Sequence, residues 1–250
     1  MGAVTALTPV TPDFSGTGTI LNPATGVAAG EVQWTDPADV PAIAGPEVFA
    51  LAQGAREVSE AVIDNVDVVQ FTGSTATGRK VMERAARRLT PVSLESGGKD
   101  PMIVLDDADV ELAAHAAVWG AMFNAGQTCV SVGRVYVLEP VHDQFVKAVV
   151  RDVQALEVGA GDGHSLGGLI DEQQLAVTER HVREAVAAGA RVLTGGKRAD
   201  KPGSFFEPTV LADVDHSMTC MTAAGLRASQ SAAERVAVQP RRRAVRSVGR

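Results

Sequence analysis

Cysteine is scarce in this chain: Cys129 and Cys220 are the only two, more than ninety positions apart. Such a spacing offers no disulfide framework and none of the clustering of a cysteine metal site. Aromatic residues amount to 4%, so a core must be assembled from Val, Leu, Ile and Ala. No uninterrupted apolar run reaches the length of a membrane-spanning helix. The N-terminus has no early basic segment followed by an apolar stretch, so no secretory signal is expected. A cytoplasmic protein without membrane contact is the expectation.

With 45% apolar and 21% charged residues over 250 positions, the chain is suited to one large domain or two ordinary ones. A formal net charge of −7 argues against nucleic acid as a partner. The charge is uneven, however. From Leu226 to Arg250 there are seven arginines and one acidic residue, Glu234. The Arg241-Arg242-Arg243 run suits a phosphate-rich surface, and the plainer reading of 226–250 is a basic, disordered tail.

Prolines 9, 12, 23, 37, 41 and 46 break any regular helix in residues 1–46, which read as an irregular segment with short extended pieces. Asn22-Pro23-Ala24-Thr25-Gly26 is a turn before a strand at Glu31–Trp34. Val58, Ala61 and Val62 give one helical face, and Val66–Phe71 reads as a strand. In the helix after Thr72–Gly78, the residues Val81, Met82, Ala85, Ala86 and Leu89 fall on one side. A strand follows at Met102–Leu105, and Asp106 or Asp107 is the expected cap of a helix running toward Met122. Strand Arg134–Leu138 precedes a helix burying Phe145, Val146, Val149, Val153 and Leu156. A glycine-rich loop, 159–168, leads to a helix burying Leu175, Thr178, Val182, Ala185 and Val186. Short strands at Arg191–Leu193 and Thr209–Val214 complete the pattern. Strands alternating with helices indicate an α/β protein with parallel pairing.

Three stretches carry candidate chemistry. In Phe71-Thr72-Gly73-Ser74-Thr75 and Gly78, a strand ends on a glycine and a helix opens. The first N–H groups of that helix favour an anion such as a phosphate, although an ordinary capped helix has the same letters. Glu95, before Gly97-Gly98, is either a general base, its pKa raised by partial burial, or a strand-end glutamate in solvent. Cys129 ends a Gly-Gln-Thr turn. There it is either a nucleophile, activated by backbone N–H groups that also hold an oxyanion, or a small buried thiol. Cys220 has no comparable setting and reads as buried. His115 reads as packed or half-exposed, and neither His142 nor His181 has a partner at metal-ligand spacing.

Taken together, these stretches resemble one family. Phe71-Thr72-Gly73-Ser74-Thr75 with Gly78, Leu94-Glu95-Ser96-Gly97-Gly98-Lys99, and Phe123-Asn124-Ala125-Gly126-Gln127-Thr128-Cys129 are similar to the three central motifs of NAD(P)-dependent aldehyde dehydrogenases. Their order agrees, and so does the 34-residue step from Glu95 to Cys129. Asn22–Gly26, Leu166–Ile170 and Phe205–Val210 resemble further family segments. The surroundings of Met102–Val104 and Ser165–Ile170 look most like succinate-semialdehyde dehydrogenases.

The resemblance implies an α/β fold: a partial aldehyde dehydrogenase fold with a remnant of a Rossmann-like cofactor domain at 47–95 and a partial catalytic domain at 96–225. It implies oxidation of a small-molecule aldehyde to a carboxylic acid with NAD or NADP. Cys129 would attack the aldehyde carbon, hydride would pass to the nicotinamide, and Glu95 would activate the water that hydrolyses the thioester. Gly73 and Ser74 would meet the cofactor pyrophosphate, and no metal is implied.

The chain also departs from the family pattern. It has no Pro-Trp-Asn, the motif whose asparagine supplies a second oxyanion donor; losing such a donor costs roughly 3 kcal/mol. The 47-position step from Gly26 to Gly73 is too short for the βαβ units expected there, which suggests an internal deletion. Ser96 stands where a packing leucine is usual. After Met221-Thr222 the Glu-Glu-x-Phe-Gly-Pro segment that orients the nicotinamide ribose is missing, and the arginine-rich text resembles another reading frame. Without the family's C-terminal oligomerisation strand, homo-oligomerisation is not expected. Three readings stay open: the dehydrogenase, a catalytically impaired or inactive remnant of one, and an esterase needing only Cys129 and an oxyanion donor.

Overall fold

The computed structural model describes residues 17–40 and 50–222, together with a strand at 235–241. The expectations for residues 1–16, 41–49, 223–234 and 242–250 lie outside the described residues. The chain divides into two compact units. The smaller comprises Met1–Leu21, Ala28–Phe71 and Arg79–Ser93, and the larger comprises Asn22–Val27, Thr72–Gly78 and Leu94–Arg250.

In the smaller unit, strands β1 (Thr17–Leu21) and β2 (Ala28–Gln33) pair antiparallel, from Thr17 opposite Gln33 to Leu21 opposite Ala28. Helix α1 (Arg56–Asp64) buries Val58 and Ile63. It is followed by β3 (Val69–Gly73), helix α2 (Thr75–Ala85) and β4 (Val92–Ser96). Each of these three is divided between the units: Thr72–Gly78 and the chain from Leu94 onward are grouped with the larger one. Strands β3 and β4 form a two-stranded sheet. The Val69 N–H donates to the Pro91 carbonyl at 2.9 Å, which sets the start of β3 beside the start of β4.

Only part of the expected face of α2 is buried: Val81 and Ala85 are covered, whereas Met82 and Leu89 are exposed. The helix ends in a tight turn at Ala86–Arg88, and Leu89 caps it in the left-handed region, φ 58°. That backbone reversal turns the Leu89 side chain out of the helical face. The tie between helices is ionic instead. Arg84 donates to both Asp64 oxygens and to Glu60, and Glu60 also accepts from Arg56 at 2.5 Å.

In the larger unit a five-stranded sheet has the order β5-β6-β9-β8-β7. Its strands are β5 (Asp100–Val104), β6 (Val132–Leu138), β7 (Arg191–Thr194), β8 (Thr209–Ala212) and β9 (Arg235–Arg241). All neighbours run parallel except β7, which pairs antiparallel with β8. Helices α3 (Val110–Met122) and α4 (Glu139–Gln154) follow β5 and β6, and helix α5 (Glu172–Ala187) precedes β7.

Apolar clusters form on both faces of this sheet, as parallel strands require, although at the β5 edge Ile103 is exposed. Val104, Val135, Val137 and Val210 pack with α3 and α4 residues, among them Ala114, Ala117, Ala121, Phe145, Val149 and Val153. On the other side Leu211 packs with Leu169, Leu175, Val182, Ala185 and Phe206, and Tyr136 lies against them. The alternation Val135-Tyr136-Val137 and the step from Val210 to Leu211 follow from the two-residue period of a strand. Alanines at three fully buried positions of α3 let it approach α4 closely.

Three expectations need correction. The cap of α3 is Asp109, which accepts from the Leu112 N–H at 3.1 Å, rather than Asp106 or Asp107; those two sit in a turn one step earlier. Val186 is 46% exposed, because the buried stripe of α5 runs through Leu175, Thr178, Val182 and Ala185 and ends there. Finally, Arg235–Arg241 is not disordered; it is a strand between β6 and β8. Its Val236 and Val238 alternate with Ala237 and Gln239, a pattern hidden by the surrounding arginines. Pro240 cannot donate to a ladder. It lies past Val238, where pairing with β8 ends, opposite Val137 of β6 alone.

Candidate active site

Residues Gly73, Ser74, Glu95 and Cys129 all fall in the larger unit. Gly73 is buried at the end of β3. Ser74 caps α2: its Oγ accepts from the Thr77 N–H at 3.0 Å and shares a 2.8 Å hydrogen bond with Thr77 Oγ1, while its carbonyl accepts from Gly78 at 2.8 Å. The capped-helix arrangement is therefore present. It still leaves the first helical N–H groups, on Thr75 and Ala76, without intrahelical acceptors, which is the feature an anion uses.

Glu95 lies on β4 and is exposed, as is Ser96. Of the two alternatives for Glu95, partial burial and a strand-end position in solvent, the exposed one is found, because alternation places its side chain on the open face of a two-stranded sheet. Ser96 fills no packing position. Gly97 is buried beyond it.

Cys129 is exposed, whereas Cys220 is wholly buried in the second core cluster. The small buried thiol is thus Cys220 and not Cys129. Helix α3 stops at Met122, and the chain passes through a tight turn at Phe123–Gly126. There Asn124 (φ 53°), Ala125 (φ 53°) and Gly126 (φ 69°) are left-handed in succession. Beyond the cysteine, Ser131 is buried and donates to the carbonyls of Gly120 at 3.2 Å and Ala121 at 3.3 Å. The turn is anchored at both ends, and its middle presents the thiol to solvent.

Two residues of this region were not marked as functional by sequence reasoning. Gln127 bonds across to the segment at Gly168–Ile170. Lys99 is 7% exposed, with its chain end against Gly133, where a Cβ would come within 2.6 Å of Lys99 Nζ. Gly133, a glycine inside strand β6, was the available signal for the second. His115 is exposed and His181 is buried. Among the described residues there is no group of three or more His, Cys, Asp or Glu able to hold a metal, and no helix long and apolar enough to cross a membrane.

Residues 15–223 match the model of the aldehyde dehydrogenase family. The chain belongs to that family. Succinate-semialdehyde dehydrogenase [NADP(+)] GabD of Escherichia coli is 45% identical over 148 residues, 58% of this chain and 31% of that relative. The mitochondrial succinate-semialdehyde dehydrogenase of Arabidopsis thaliana is 40% identical over 203 residues, 79% of this chain and 37% of that protein. Among solved structures, a putative aldehyde dehydrogenase, PutA, from Anabaena variabilis superposes with a TM-score of 0.73 at 38% identity. That match covers 78% of this chain and 41% of the other. Betaine aldehyde dehydrogenase from Staphylococcus aureus, solved with NAD+, gives 0.70 at 33% identity over 77% of this chain and 38% of its own. The described α/β layers thus correspond to well under half of each aldehyde dehydrogenase, and the chain spans about a third of the curated relatives' length.

Proposed function

We propose that this chain carries the nucleophile, base and phosphate turn of an NAD(P)-dependent aldehyde dehydrogenase. The substrate proposed is a small aldehyde bearing a carboxylate, with succinate semialdehyde as the first candidate. The observation that carries the reading is the presentation of Cys129 on a doubly anchored turn while Cys220 is wholly buried. The identities with succinate-semialdehyde dehydrogenases support the substrate class.

In this reading the Cys129 thiolate adds to the aldehyde carbon, and its backbone N–H holds the resulting oxyanion. A bound dinucleotide supplies the hydride acceptor. Glu95 then takes a proton from the water that attacks the acyl thioester on Cys129, releasing the carboxylic acid and the thiolate. At the opening of α2, the N–H groups after Gly73 and Ser74 suit one phosphate of the cofactor. The motif resemblance supports reading 47–95 as a cofactor-domain remnant and 96–225 as a partial catalytic domain; a unit boundary falls at Ser93–Leu94, while Thr72–Gly78 is grouped with the larger unit.

A second reading, a catalytically impaired remnant, is favoured by the exposure of Glu95 and by the lack of any Pro-Trp-Asn in the chain. In the 47-position step from Gly26 to Gly73, the described elements are β2, one short turn at Pro37–Asp39, α1 and β3, which supports an internal deletion.

One experiment separates the readings. NADH or NADPH formation is followed with succinate semialdehyde and simple aldehydes, with Cys129→Ala as control, beside iodoacetamide mapping of both cysteines. Turnover of about one per second or faster, lost in the control, carries the dehydrogenase. A folded chain without turnover, in which Cys129 still labels faster than Cys220, carries the impaired remnant. Equal labelling of the two cysteines removes the nucleophile from both.

A further inference from the structure

We propose that Gln127 is the positioning residue for the Cys129 thiol. Its side-chain amide fastens the cysteine turn to the Gly168–Ile170 segment, and the reactivity of the thiol depends on that fastening. The proposal rests on the reading of Cys129 as a nucleophile.

The argument begins with backbone strain. Asn124 and Gly126 tolerate left-handed φ, but Ala125, at φ 53° and ψ 34°, places a Cβ where an L residue meets its own carbonyl. Ala125 is also buried, at 1% exposure. A conformation of this kind persists where its surroundings over-determine it.

Gln127 provides much of that determination. Its backbone N–H donates to the Asn124 carbonyl at 3.1 Å. Its Nε2 donates to the same carbonyl at 3.2 Å and to the Gly168 carbonyl at 3.5 Å. Its Oε1 accepts from the Ile170 N–H at 2.8 Å. In return, Asn124 Nδ2 donates to the Gln127 carbonyl at 3.3 Å. One side chain thus bridges the strained residues and a segment far along the chain.

That segment is itself fixed. Leu169 is wholly buried and its N–H donates to the Ser204 carbonyl at 2.8 Å. Asp171 caps α5 by accepting from the Gln174 N–H at 2.7 Å. A Cβ at Gly168 would come within 3.5 Å of Ser204, Phe205 and Pro23. Gln127 therefore ties the turn to an anchored surface. With Ser131 holding the far side, Thr128, Cys129 and Val130 are left between two fixed points.

The test compares the wild-type chain with Gln127→Met and Gln127→Glu. Three quantities are read: the iodoacetamide rate at Cys129 across pH, the rate at Cys220 as a report on folding, and amide exchange at Ile170. In Gln127→Met all side-chain bonds are lost; the Cys129 rate is expected to fall about fivefold or more with an altered pH profile, and Ile170 exchange to quicken by about the same factor. Gln127→Glu keeps the acceptor for Ile170 but has no donor for the Asn124 and Gly168 carbonyls. It is expected to retain Ile170 protection and to label Cys129 at an intermediate rate.

Folded variants whose Cys129 rate and profile stay within about twofold of wild type overturn the proposal. So does loss of fold in both variants, since Gln127 would then serve the fold and not the thiol. A wild-type Cys129 no more reactive than glutathione would instead remove the nucleophile reading, and Ile170 exchange would still decide the fastening.

Discussion

In the smaller unit a few buried apolar side chains, among them Val58, Ile63, Val81 and Ala85, are joined by an ionic tie between α1 and α2. The larger unit rests instead on two extended clusters of buried apolar side chains. Between α1 and α2, Arg84 is bound to Glu60 and Asp64, with side-chain exposures of 23%, 29% and 40%. In the larger unit Phe145, Phe206, Leu169 and Leu211 are all wholly buried. Ion pairs this open to solvent are weak and screened by salt, whereas buried aromatic side chains contribute several kcal/mol each. The two units should therefore answer differently to cavities, salt and acid, and the residues proposed for chemistry lie in the unit built on packing.

The largest effect is expected from removing β9. A chain ending at Thr222 would leave β6 and β8 with unpaired facing edges in mid-sheet. It should lose its cooperative unfolding transition and aggregate, as read by urea titration and light scattering. A cooperative transition with an unchanged midpoint would mean that packing alone holds the larger unit. Next comes Phe206→Ala, which opens a cavity in the second core cluster and should cost about 3–5 kcal/mol. The urea midpoint should fall with little change in slope. A loss near that of a surface substitution would erase the contrast between the units.

In the smaller unit Arg84→Ala should cost about 1 kcal/mol or less, and molar salt should shrink the difference from wild type. Amide exchange across Arg56–Asp64 reports it locally. The smallest effect is that of acid. The Arg56 hydrogen bond to Glu60 and the Arg84 hydrogen bond to Asp64 hold both carboxyls below the usual carboxylate range. Because their folded values are depressed, the stabilisation is complete above that range and is lost as pH falls through the depressed values. Exchange in α1 should rise on acidification before that in α3. Simultaneous loss would show that the two units share one transition.

Much of this was legible from periodicity. Phe145, Val149 and Val153 lie a helical turn apart and are buried as that spacing demands. The hairpin turn was carried by Asn22-Pro23-Ala24-Thr25-Gly26, whose Asn22 Oδ1 accepts from Ala24 at 2.9 Å. Cys129 was marked by its turn, but the letters left open whether it was exposed. Three things were hidden because they depend on distant partners. Leu89 reads as the last rung of an apolar face until a left-handed cap turns it away. Glu95 reads either as a partly buried base or as a strand-end glutamate in solvent, and only its strand's single neighbour decides for solvent. Arg235–Arg241 has a strand's alternation, but arginine-rich text suggests disorder unless a gap between two strands awaits it. The reach of Gln127 to Ile170 spans 43 positions, and no local rule predicts it.

The position of β9 has a consequence for biosynthesis. Because β6 and β8 meet only through a strand that follows both in the chain, ribosomal emergence of β5 to β8 delivers two half-sheets that cannot yet join. Each half displays an open ladder toward the other until Arg235–Arg241 leaves the exit tunnel. Closure depends on contacts about a hundred residues apart, which makes it slow by the usual relation between topology and folding rate. During that wait the nascent chain is exposed to mispairing with its neighbours on the same polysome.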